Sequence, residues 1–232
     1  MAHLRRLVAS RHFPIARKIR KFTIAPSAGP HGKKDCIPLG IIVRDMLKLA
    51  ETAKEMKKII SAGNVLIDGR SRNDHKFPVG IMDVVEIPKT KQCFRMIAKE
   101  GKLKLVEIDA AKAKMKICKI NNKTVIKGNK IQLNLHDGRN LLGDNKGYKV
   151  GDTVMISLPE QKITDHFKLD KGAVVLITGG QYVGTIGKLT EIVTMRGIEA
   201  NKAVVESEGK TYRTLKDYVF VIGKDKPVIS LE

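Results

Sequence analysis

Nine cationic side chains precede the first carboxylate of this 232-residue chain: Arg5, Arg6, Arg11, Arg17, Lys18, Arg20, Lys21, Lys33 and Lys34 all come before Asp35. The chemistry open to such a set is neutralisation of a polyanion. Each phosphate met by a Lys or Arg releases a condensed counterion, and a self-repelling arm with little internal structure gives up little when laid along a nucleic acid. The remaining composition agrees, because 44 Lys+Arg against 24 Asp+Glu leave +20 at pH 7, beyond what solubility asks of a domain. A mitochondrial transit peptide also starts Arg-rich and acid-poor. Serine enrichment is missing here, however, and Ala25-Pro26-Ser27-Ala28-Gly29-Pro30-His31-Gly32 leads through turns into a folded region.

A second cationic group needs folded elements to hold it. From Pro38 the pattern is helical, with Ile42, Met46, Leu47 and Ala50 on one face. Thr52-Ala53-Lys54-Glu55 is a capping box opening a second helix, which turns Met56, Ile59 and Ile60 inward and stops at Gly63. Opposite that apolar face stand Lys54, Lys57 and Lys58 at i, i+3 and i+4, where they repel one another unless an anion lies across them. A short strand, Val65-Leu66-Ile67, then enters an Asp68-Gly69 turn that suits a tight hairpin, followed by Arg70, Arg72 and Lys76. Phe77-Pro78-Val79-Gly80 and a strand through Val84, Val85 and Ile87 close the unit.

Residues 94–168 read as β structure. Ile131, Leu133 and Leu135 alternate with Gln132, Asn134 and His136 after a Gly128-Asn129 turn, and Phe94–Ile97, Leu103–Ile108, Met115–Ile120 and Thr153–Leu158 add strands of a small barrel or curled sheet. Asp109–Ala113 is the one helical signal, and Lys112, Lys114, Lys116 and Lys119 read as the outer face of a protected edge strand. The run Lys171–Leu189 sets a hydrophobic strand, a loop with Gly179, Gly180, Gln181, Gly184 and Gly187, and a strand resuming at Thr185. Positive φ at Gly179, Gly180 and Gly184 would bring backbone amides close to a phosphate. Strands near Ala203–Glu206, Thr211–Thr214 and Tyr218–Ile222 would complete a small barrel.

Other chemistries fail on spacing. A phosphate-hydrolysing loop ending at Gly187-Lys188 needs Gly and Ser/Thr where Tyr182 and Leu189 stand. No dinucleotide fingerprint opens a helix. His31 and Cys36 are the nearest approach to a metal set and supply two ligands of four, so no metal, cofactor or small-molecule substrate is expected. Cys36, Cys93 and Cys118 read as buried hydrophobes without disulfides. No apolar run reaches membrane-spanning length.

Ile37–Pro88, two short helices and a small hairpin with basic residues on the second helix and after the turn, resembles the S-four-type RNA-binding domain. Lys171–Leu189 resembles the KOW motif of ribosomal and transcription-elongation proteins. In order with His3-Leu4-Arg5-Arg6, Gly29-Pro30-His31, Ile163–Asp170, Phe220–Lys224 and Lys226–Leu231, the whole chain is similar to the archaeal and eukaryotic S-four-e family of small-subunit ribosomal proteins. It departs from the family pattern at Phe13, where Trp is common, and its length is archaeal-type. The resemblance implies an α+β multidomain fold: a basic arm (1–36), the RNA-binding domain (37–93), a central β-rich domain (94–170) and an SH3-like KOW barrel (171–232). It implies a non-catalytic constituent of the cytoplasmic small ribosomal subunit, with ribosomal RNA and neighbouring ribosomal proteins as partners and no membrane. Two rivals are weaker: Gly138-Arg139-Asn140-Leu141 misses the pseudouridine synthase signature Gly-Arg-Leu-Asp, and a KOW-bearing transcription factor needs neither the arm nor a second RNA-binding domain.

Overall fold

A computed structural model describes residues 4–128, 130–143 and 147–229. His3, Asn129, Ser230 and Leu231, quoted above in the arm, a turn and the C-terminal close, lie outside the described residues. The protein is mostly β, with few helices and several antiparallel sheets, and it divides into two compact units, Met1–Ile97 with Lys102–Lys116 and Ala98–Gly101 with Ile117–Glu232.

In the first unit, a helical turn at Leu39–Ile41 widens into a π turn over Ile42–Met46, with the Leu47 amide donating to the Ile42 carbonyl at 2.9 Å. The helix is therefore shorter than the expected run to Ala50. Ile41, Ile42 and Val43 are all fully buried, which one inward stripe of a regular helix does not achieve, and Lys48 at φ +53 turns the chain away. The second helix, Ala53–Ser61, matches its signals. The Glu55 amide donates to Thr52 Oγ1 at 3.2 Å, and the Thr52 amide to Glu55 Oε2 at 3.3 Å. Met56 and Ile60 are buried, and Gly63 follows at φ +71.

Asp68 (φ +52) and Gly69 (φ +73) both take the left-handed conformation that a two-residue hairpin turn requires. The hairpin belongs to a five-stranded sheet ordered Arg70–Ser71, Leu66–Ile67, Val84–Ile87, Gln92–Lys99, Lys102–Ile108. Cys36–Pro38 pairs separately with Pro78–Gly80.

At the centre of this unit lies a polar knot. Lys116 has 0% exposure, and its Nζ donates to Asp68 Oδ2 at 2.7 Å and Asp83 Oδ1 at 2.6 Å. Asp83 Oδ2 also accepts from the Gly80 amide at 2.8 Å and lies 2.9 Å from His31 Nε2, while Asp68 Oδ1 accepts from the Val84 amide at 2.9 Å. A Cβ on Gly80 would collide with the His31 ring, so the glycine is what lets the imidazole sit there. Burial pushes the Asp83 carboxyl up, but His31 and Lys116 outweigh it and hold the group well below the usual carboxylate range. Lys116 thus departs from the solvent-facing edge expected of it. Lys112 and Lys114 are exposed.

The second unit holds two five-stranded sheets among the described residues. One is ordered Asn140–Gly143, Lys130–Leu135, Met115–Ile126, Thr153–Ser157, Ile163–Phe167. Buried Asp152 ties its end together, accepting from the Lys149 and Leu169 amides at 3.0 Å each and lying 2.8 Å from His166 Nε2. Lys119 is also turned inward. Its Nζ donates to the Asp217 carbonyl at 2.7 Å, and burial lowers its pKa to about 8. The other sheet is ordered Lys210–Leu215, Lys202–Ser207, Ile186–Val193, Val174–Ile177, Val219–Gly223, around a core of Val175, Leu176, Ile177, Leu189, Val205 and Val221.

Lys116→Met removes the cation from two buried carboxylates and is expected to cost roughly 3–5 kcal/mol in urea unfolding at neutral pH. Asp83, whose folded pKa is depressed, contributes its stability fully above the ordinary carboxylate value of 3.8 and loses it as pH falls below that. The wild type should therefore weaken in acid while the variant, relieved by protonation, weakens less. A neutral-pH loss under about 1 kcal/mol would contradict the buried ion triad.

Candidate nucleic-acid interface

The basic N-terminal segment has more internal structure than its charge suggests. Leu4–Arg5 pairs with Phe22–Thr23, and Phe13 and Ala25 are buried. Two of its arginines hold this loop together. Arg6 is buried, donating from Nη1 to the Ala16 carbonyl at 2.7 Å and from Nε to the Phe22 carbonyl at 3.2 Å. Arg17 donates from Nη1 to the Ala9 carbonyl at 2.9 Å and from Nη2 to the Ser10 carbonyl at 3.0 Å. Guanidinium suits this role because its planar fork reaches several carbonyls at once. Arg6, expected to face a polyanion, is instead buried, while Arg17 is half-buried with its fork on the carbonyls of its own loop. Arg5, Arg11, Lys18, Arg20, Lys21, Lys33 and Lys34 are exposed.

On the second helix Lys54, Lys57 and Lys58 are all exposed. The loop at 74–76 lies beside them: burial lowers the His75 pKa first, Lys57 and Lys76 lower it further by repulsion, and Asp74 opposes them. The helix face is cationic, the loop beside it carries both Lys76 and the exposed Asp74 carboxylate, and the exposed Arg70 adds a cation on the hairpin. Arg72 is half-buried, its guanidinium over the Phe77 ring at 4.4 Å from the centroid.

The glycine loop of the second unit is built for close packing against protein. Gly180 (φ +85) and Gly184 (φ +92) take positive φ, but Gly179 does not; a Cβ there would meet the Tyr218 ring at 2.5 Å. At Gly187 a Cβ would strike the Glu206 carbonyl of the neighbouring strand. The Gly184 amide, expected to approach a phosphate, donates to the Ile177 carbonyl at 2.8 Å. Its Cα faces the backbone of the Ala98–Gly101 turn, where a Cβ would lie 2.8 Å from Lys99 Cα and 2.9 Å from the Glu100 nitrogen. Gln181 and Tyr182 are exposed, with Tyr182 edge-on to Tyr212 at 4.9 Å.

Several residues carry more of the structure than sequence reasoning gave them: His31, Asp83, Lys116 and Arg95. Arg95 is buried, donates to the Lys112 and Met115 carbonyls at 2.8 and 2.6 Å, and is pulled by burial to a pKa of about 10. The one available signal is a charge inside an apolar run, as in Ile81-Met82-Asp83-Val84 or Lys116-Ile117-Cys118. Nucleophilic chemistry gains nothing from Cys36, whose thiol burial and the nearby Asp35 and Asp83 push up to about 12. Cys118, His136 and Asp137 cluster within 4.8 Å, one ligand short of a tetrahedral set. They are already engaged: the Cys118 thiol donates to Asp137 Oδ2 at 3.5 Å, Arg139 Nε lies 3.3 Å from the same carboxylate, and His136 Nδ1 accepts from the Lys119 amide at 3.2 Å.

A pair of short helices, a tight hairpin and an exposed lysine face are the parts of an S4-domain protein, and the S4 domain family model matches residues 41–85. The RS4NT (NUC023) domain matches residues 2–34 and the model for ribosomal family S4e matches residues 90–163. The small ribosomal subunit protein eS4 of Methanothermobacter thermautotrophicus is 52% identical over 231 residues, covering 99% of this chain and 95% of that protein. Its counterpart in Archaeoglobus fulgidus is 45% identical over 232 residues, covering 99% and 97%. The crystal structure of the 30S ribosomal protein S4e from Thermoplasma acidophilum superposes with a TM-score of 0.71 at 35% identity, over 82% of this chain and 96% of that one. The chain belongs to the ribosomal S4e family.

Gly184→Val tests the glycine loop. It places a β-branched residue at φ +92 and drives its Cβ into backbone that cannot rotate away, so a loss of at least about 1–3 kcal/mol is expected. Gln181→Ala, at an exposed side chain, should leave melting unchanged. Equal melting of both variants would contradict this packing.

Proposed function

We propose that this protein is a structural constituent of the cytoplasmic small ribosomal subunit, binding small-subunit ribosomal RNA through its N-terminal segment and S4-type domain. As a member of a ribosomal-protein family it is not an enzyme. The observation that carries the reading is the exposed face of Lys54, Lys57 and Lys58 on an S4-type domain, in a chain whose relatives over nearly the full length are named small ribosomal subunit proteins. Phosphates laid across three lysines at helical spacing relieve their mutual repulsion and gain counterion release together.

The finer layout is part of the same proposal: a basic segment at 1–36, an S4-type domain at 37–93, a central β-rich domain at 94–170 and an SH3-like KOW barrel at 171–232, with the strands Gln92–Lys99 and Lys102–Ile108 extending the sheet of the hairpin. Arg5, Arg11, Lys18, Arg20, Lys21, Lys33 and Lys34 serve as phosphate contacts beside the helix lysines and Arg70. The exposed side chains of the glycine loop, Gln181 and Tyr182, face RNA or a neighbouring ribosomal protein.

Binding to in vitro transcribed small-subunit ribosomal RNA should weaken steeply with salt, log affinity falling by about 0.7–0.9 per phosphate neutralised for each unit of log salt. Changing Lys54, Lys57 and Lys58 together to Gln should flatten that slope by about two and leave melting equal or slightly raised. Because Phe13, Ala25 and His31 are core residues, substituting exposed cations is a cleaner test of the N-terminal segment than deleting it. Reduced melting of the triple variant with an unchanged salt slope would contradict the reading.

A further inference from the structure

The N-terminal loop buries Phe13 and Arg6 yet exposes three aliphatic side chains almost completely: Leu7 at 71%, Val8 at 72% and Ile19 at 74%. These are not the loose ends of an unstructured tail. Leu7 and Val8 sit on a short helical turn, Arg6–Val8. Arg17 bonds carbonyls within it, at Arg6 and Leu7 (3.4 Å each), and just after it, at Ala9 and Ser10. The Arg6 amide donates to the Lys21 carbonyl at 3.0 Å, and Ser10 Oγ to the Lys34 carbonyl at 2.6 Å. The loop is folded in advance, and between its exposed cations it presents apolar side chains.

Cations flank each of these positions: Arg5 precedes Leu7 by two residues, and Ile19 lies between Lys18 and Arg20. No carboxylate occurs before Asp35, so the surface is complementary to a polyanion and repels a basic protein surface. A polyanion with apolar faces between its charges is RNA, whose ribose and base faces are open in the shallow minor groove and in unstacked loops. We propose that Leu7, Val8 and Ile19 are the non-electrostatic contact of a preformed RNA-docking loop, lying against ribose and base faces while the flanking cations reach phosphates. This rests on the ribosomal RNA reading above. It assigns Arg6 and Arg17 as positioning residues, since a loop ordered before binding loses less freedom on binding.

The test separates the apolar contact from charge. Full-length protein carrying Leu7→Ser with Val8→Ser, and a second variant with Ile19→Ser, is titrated against full-length small-subunit ribosomal RNA from the same organism across a range of salt. Apolar contacts release no counterions, so affinity should fall by about tenfold or more for the double variant with the salt slope and melting temperature unchanged. Arg17→Lys keeps the charge but loses the fork that gathers the Ala9 and Ser10 carbonyls, and it too should weaken binding without changing the slope. Affinities within about twofold of wild type for both serine variants would overturn the proposal, as would a slope that falls with affinity. If the double variant melts early, Ile19→Ser alone decides by the same criteria. If wild-type protein itself shows no steep salt-dependent binding, the RNA reading fails and this inference falls with it.

Discussion

One lysine ammonium with no access to water organises the first unit. A cation at Lys116 is tolerable only because two carboxylates meet it within 2.7 Å, and those carboxylates are tolerable only because backbone amides and His31 take up their remaining lone pairs. Removing any one member leaves another charge stranded. The members come from distant places in the chain: the turn after the basic segment, the hairpin turn, the approach to Val84 and the start of a long strand. The knot therefore fixes how those four segments meet, and through His31 it anchors the N-terminal loop to the core.

This arrangement divides the cations into two populations. Arg6, Arg17, Arg95, Lys116 and Lys119 point inward and spend their donors on carbonyls or carboxylates. Arg5, Arg11, Lys18, Arg20, Lys21, Lys54, Lys57, Lys58 and Arg70 remain exposed. A net charge of +20 therefore overstates what is offered to a polyanion. What the inward group supplies is rigidity, so the outward group is presented from a loop and a helix already in place.

Local signals were legible where local physics decides. The capping box at Thr52 and Glu55, the left-handed Asp68-Gly69 turn and positive φ at Gly184 appear as the residue types require. The first helix is not legible from periodicity, because three consecutive β-branched residues are buried all round. Lys116 was misjudged for a deeper reason. Its neighbour Met115 is 41% exposed while Lys116 is fully buried, the reverse of what hydropathy assigns, because the partners that make burial tolerable lie 33 and 48 residues away. The basic segment looked like a free arm since charge counts do not show which arginines will find carbonyls.

Lysine reactivity, measured by acetylation and mass spectrometry on free protein and on assembled small subunits, tests the central claim that a buried ion knot holds an outward basic surface against ribosomal RNA. The account predicts that Lys116 is unreactive in both states, and that Lys18, Lys21, Lys54, Lys57 and Lys58 react in the free protein and are protected in the subunit. A reactive Lys116, or helix lysines that label equally in both states, would contradict it.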